Sequence, residues 1–143
     1  MDVTLRGIAS ITYWADDVAA AADWYTEVLG TGPVFTRPGP GGRLGYAAFA
    51  IDEGTRLAIA TSATAPPGAA TEPGGAVGHW TVDDLDAVLA KLTSMGAKEW
   101  IPPTPHGPVV SVAVVDPFGN VVGLISTTHP DADFRGGPPS RTG

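Results

Sequence analysis

Residues 11–30 read ITYWADDVAAAADWYTEVLG. Ile11 to Trp14 are all β-branched or aromatic, a composition that favours a strand. Asp16 and Asp17 follow and offer side-chain caps to a helix running to Leu29. Val18, Ala21, Tyr25, Val28 and Leu29 form the apolar stripe of that helix, and Gly30 ends it. Residues 82–97, VDDLDAVLAKLTSMGA, repeat the device. Asp83 and Asp84 cap; Leu85, Val88, Leu89, Leu92 and Met95 form the stripe; Gly96 stops it. Two aspartates at each helix start also suit the positive end of the helix dipole.

Outward from these helices the pattern is the same twice. Strands are expected over 8–14 and 77–82, ahead of the helices. Further strands are expected over 34–36, 46–51 and 56–61 after the first helix, and over 98–101, 109–115 and 120–126 after the second. Turn signals separate them: 38–42 (PGPGG), 52–54 (DEG), Pro102-Pro103 and 116–120 (DPFGN). Asp17 aligns with Asp84, Gly30 with Gly96, and Gly54 with Gly119, so the chain spells β-α-β-β-β twice. The expected organisation is a first module over 1–62, a linker over 63–75, a second module over 76–128 and a flexible tail over 129–143. The linker is rich in Ala, Pro and Gly. The fold class is α+β, two βαβββ modules forming a curved sheet that bears a cleft.

Composition excludes several functions. The 143 residues contain no Cys, which removes disulfides, thiolate metal sites and a Cys nucleophile. Eight Lys and Arg are scattered through a chain of net charge −7, so no nucleic-acid partner is expected. No apolar run is long enough to span a membrane, and the first ten residues lack the pattern of an export signal. The expected compartment is the cytoplasm. The acidic charge serves solubility, or attracts a cationic ligand. There is no phosphate loop, nucleophile elbow or His-Glu-x-x-His. Asp116 is accounted for by its turn, and the four helix-start aspartates by capping.

The two helix segments together with 114–124, VVDPFGNVVGL, resemble the vicinal oxygen chelate superfamily of glyoxalase I, bleomycin-resistance proteins and extradiol dioxygenases. The resemblance covers Ile8 to Ser126 and implies the βαβββ fold. It also implies a divalent metal held by His, Gln or Glu from the first and last strand of each module. The matching positions lie seven residues before the capping aspartates, at Ser10 and Val77, and four after the turn glycines, at Ala58 and Gly123. Ala, Val and Gly carry no donor atom and a neutral Ser is a poor one, so no metal and no other cofactor are expected. His79 is two residues beyond Val77 and faces the same way. It reads as a cavity group, as an interior histidine, or as an unusual metal ligand.

In the register implied by the resemblance, Ser10, Thr12 and Trp14 face inwards, with Val77, His79 and Thr81. Ile11, Tyr13 and Trp80 then pack beneath the helices. Phe35, Tyr46, Phe49, Trp100 and His106 are further candidates for the cavity wall or its mouth, each with a core or surface role as the alternative. One Trp, one His and small hydroxyls around vacated ligand positions suit a planar aromatic or amphipathic molecule. The expectation is a non-catalytic, metal-independent protein that sequesters such a natural product, as in antibiotic resistance. The resemblance further implies a homodimer with cavities at the interface. The alternatives are a lyase, isomerase or oxygenase acting on a small carbonyl or phenolic substrate, and a regulatory module without a ligand.

Overall fold

Asp17 and Asp84 both fold back on the helix they precede. The Oδ1 of Asp17 accepts the Ala20 N–H, and the Oδ1 of Asp84 accepts the Ala87 N–H, each at 3.0 Å. Each satisfies a backbone donor that the first helical turn leaves unpaired. These caps start α1 (Val18–Leu29) and α2 (Leu85–Ser94). Gly30 ends α1 in the left-handed conformation, φ 76°, and its N–H donates to Thr26 O. The computed structural model describes residues 5–69 and 72–133.

The chain divides into two compact units, residues 1–69 and 70–143. In the first, α1 is accompanied by β1 (Ser10–Ala15), β2 (Phe35–Pro38), β3 (Leu44–Ala50) and β4 (Arg56–Thr61), in the sheet order β1-β4-β3-β2. Only the β1–β4 pairing is parallel. The second unit repeats this with β5 (His79–Thr81), β6 (Lys98–His106), β7 (Val109–Val115) and β8 (Val121–Ser126), in the order β5-β8-β7-β6. The βαβββ repeat expected from the aligned aspartates and glycines is thus present.

In each unit one sheet face takes the helix and forms the core. In the first, Tyr13 meets Tyr25 of α1 with ring centroids 5.8 Å apart. The register carries this face across the sheet through Ile11, Leu57 and Phe49 and through Tyr13, Ile59 and Ala47. In the second unit Val110, Val112, Val114 and Leu124 are buried, as are Leu85 and Leu92 of α2. The DPFGN turn is held by Asp116, itself only 3% exposed, whose Oδ1 accepts the N–H groups of Phe118 and Asn120 at 2.9 and 2.8 Å.

β2 runs on to Pro38 and β3 starts two residues early at Leu44, and three further strands differ from expectation. β1 begins at Ser10 rather than Ile8, and β5 is confined to 79–81. β6 runs on to His106, through the Pro102-Pro103 pair expected to turn the chain. It is an edge strand paired only with β7, and its register shifts twice, around Trp100 and around the two prolines. Proline lacks the N–H of a ladder bond, and edges and bulges are where a sheet tolerates that loss. The tail expected from 129 is tied to the second unit as far as Asp133. Thr128 donates to Asp83 O, His129 Nε2 lies 3.1 Å from Asp86 Oδ1, and Asp133 N–H donates to Gly107 O. Positions 134–143 of that tail lie outside the described residues.

Candidate functional site

The sheet face turned away from α1 is built from alternate residues of four strands. Pairing aligns Trp14 with Ala60, Ala60 with Tyr46, and Tyr46 with Arg37 in one row. The next row is Thr12, Ala58, Ala48 and Phe35, and the third begins with Ser10 beside Arg56. Five residues singled out in the sequence, Ser10, Thr12, Trp14, Phe35 and Tyr46, therefore share one face. Its middle carries only methyl groups, from Ala48, Ala58 and Ala60, all buried.

The aromatic groups stand at the flanks. Phe35 and Tyr46 meet edge to face with centroids 6.0 Å apart, a favourable geometry for two ring quadrupoles. Arg37 adds a cation to the pair, its guanidinium carbon 4.5 Å from the Tyr46 centroid and 6.0 Å from that of Phe35. Every residue of β2 is exposed, and Phe35 keeps 46% of its surface open. Arg37 was not singled out in the sequence. The signal was its position two residues after Phe35, which alternation places on the same face.

Phe49 is a correction. It pairs with Leu57 on the helix side and is 0% exposed, so it belongs to the core. Tyr46 and Phe49 are three residues apart on one strand, and side chains at odd spacing point to opposite faces.

In the second unit the corresponding face carries His79, Thr81 and His106, by pairing with Gly123, Ile125 and Val109. Trp100 lies at the first bulge of β6 and is 44% exposed. The His79 ring rests directly on Gly123: a Cβ there would stand 2.7 Å from His79 Cδ2 and 2.9 Å from its Cγ and Nε2. A larger side chain at that position would need the space the imidazole fills.

The donor set does not fit a divalent metal. Ala58, Val77 and Gly123 offer no donor, Ser10 offers one neutral hydroxyl, and His79 is one ligand where three or four are needed. Among the described residues no group of three or more His, Asp or Glu side chains could hold a metal ion.

Residues 7–124 match the family model of the Glyoxalase/Bleomycin resistance protein/Dioxygenase superfamily. Among solved structures, the chain is similar to TnmS3, an antibiotic binding protein from Streptomyces sp. CB03234, at 26% identity and TM-score 0.63, covering 87% of this chain and 98% of that one. A glyoxalase-related enzyme from Fulvimarina pelagi is similar at 22% identity and TM-score 0.65, over 85% and 88% of the two chains. TioX from Micromonospora sp. ML1 is similar at 18% identity and TM-score 0.60, over 85% and 99%. No curated protein matches the chain.

Proposed function

Because this chain belongs to the Glyoxalase/Bleomycin resistance protein/Dioxygenase superfamily, we propose that it is a binding protein that holds a planar aromatic natural product and releases it unchanged. The observation that carries this reading is the face of the first sheet turned away from α1, where Phe35, Tyr46 and Arg37 flank one side and Trp14 the other. Trp14 and Tyr46 are two strand spacings apart, which is roughly 9.5 Å between backbones. A flat ring in contact with an aromatic group on each side needs about 7–8 Å. Between them in the row stands only the methyl of Ala60, which adds no third large side chain of its own.

Two further points support binding over catalysis. The register that holds a metal in enzymes of this fold is filled here by Ser10, Ala58, Val77 and Gly123. An antibiotic-binding protein is among the similar structures. On this reading the protein sequesters its ligand in stoichiometric amounts, as a homodimer whose paired chains complete the cavities, and a chain without cysteine suits the cytoplasm. His79 and Thr81 would meet the ligand's polar edge.

The test is a fluorescence titration of metal-stripped protein with a panel of aromatic antibiotics, followed by product analysis. Saturable quenching with one ligand per site, unchanged by added Mn, Zn or Fe and weakened at least tenfold by Trp14→Ala, is the expected result; tenfold corresponds to about 1.4 kcal/mol, within the range of one stacking contact. Metal-dependent turnover of a bound compound would overturn the proposal in favour of an enzyme.

A further inference from the structure

We infer that the ligand of this face carries an anionic oxygen group (carboxylate, sulfonate or phenolate) beside its ring, and that Arg37 is the residue that reads it. The inference rests on the binding proposal above and narrows its ligand class. It runs against the overall charge of −7, which by itself favours a cationic ligand.

The charge is not evenly spread. The four strands of the first sheet contain no Asp or Glu at all, although the chain has 15. They contain two of its eight Lys and Arg, namely Arg37 and Arg56, and the register places both on the face turned away from α1. Among the described residues Arg37 makes no ion pair. What it does make is a cation–π contact: its guanidinium carbon lies 4.5 Å from the Tyr46 ring centroid.

A ring contact supplies no carboxylate acceptor, so it leaves the guanidinium its N–H donors for an acid group. Those donors form a rigid fork that matches two oxygens of one acid group. The contact with the ring also limits the side-chain freedom lost on binding. Arg37 lies on an exposed edge strand beside a ring that is 46% open, so an acid attached to an aromatic system would reach the fork while its ring meets Phe35. A cationic ligand would meet Arg37 there, and no strand of this sheet supplies it with a carboxylate.

The experiment uses two fluorescent probes with the same ring skeleton, 1-anilinonaphthalene-8-sulfonate and the uncharged N-phenyl-1-naphthylamine, titrated into the full chain. Arg37→Gln is expected to weaken the sulfonate about tenfold, the range for a hydrogen bond to a charged group, and to change the neutral probe by less than about twofold. Arg37→Lys keeps the charge without the fork and should fall between. Lys91→Gln, on α2 of the other unit, controls for net charge and should change neither probe. Added salt should weaken only the sulfonate. Equal losses of both probes in Arg37→Gln, or a loss in Lys91→Gln matching that in Arg37→Gln, would overturn the inference while leaving the binding proposal standing. Binding of neither probe to the unmodified chain would remove the binding proposal and this inference with it.

Discussion

A methyl group at position 123 would collide with the His79 ring at 2.7 Å. His79 is exposed and can swing away, so Gly123→Ala is expected to cost no more than about 1 kcal/mol while moving the imidazole. Its ring proton resonances in NMR should shift clearly; unchanged resonances would mean that the ring does not rest on the glycine. Asp116 is the opposite case, a buried carboxylate committed to backbone donors on Phe118 and Asn120. Asp116→Ala strands those donors and should destabilise by about 1–3 kcal/mol in urea unfolding. The turn role of Asp116 was legible because Asp-Pro-x-Gly-Asn is a local signal. The environment of Gly123 was not, since only pairing with β5 brings His79 over it. Within one strand, alternation already separates Tyr46 from Phe49 and joins Phe35 to Arg37, so two of the misreadings on this face were avoidable. Which face meets the helix is a matter of register, and a slip of one residue reverses every assignment.

At the scale of the element, helix starts were legible and edge strands were not. Capping is chemistry within four residues: Asp17→Ala or Asp84→Ala should each cost about 1 kcal/mol, read as a lower melting temperature. Neither residue carries ligand chemistry, so probe affinity should hold at temperatures where the variants stay folded. Proline, by contrast, has two local readings. Pro102-Pro103 suggests a turn, yet β6 carries it as an edge strand because only one side of that strand needs ladder bonds. Pro102, Pro103 and Pro105 also blunt an edge with exposed Trp100 and Ile101. Replacing Pro102 and Pro105 by Val is expected to raise light scattering on concentration, and unchanged scattering would argue that the bulges alone protect the edge. His129 shows a tether of a similarly local kind. Its Nδ1 accepts the Asp131 N–H, so Nε2 carries the proton and faces Asp86.

For the whole molecule, the doubled βαβββ order was readable because caps and turn glycines recur at nearly constant spacing. The face turned away from α1 was readable only in part, because it is assembled by pairing between strands distant in sequence. Charge is a property of the whole chain. With a sequence pI near 4.6, solubility should be lowest there and recover towards neutral pH, as turbidity against pH would record. The sheet order has a consequence in time. β1 pairs with β4 and with no other strand, so the first sheet stays unfinished until residues 56–61 have been made. From then on every strand partner in that sheet is already present, while residues 70–143 are still to come. Domains form in order from the N-terminus, and synthesis at about 5–20 residues per second gives the first unit several seconds of head start on the ribosome. Phe35, Tyr46 and Arg37 are then displayed on a nascent chain before the second unit is made.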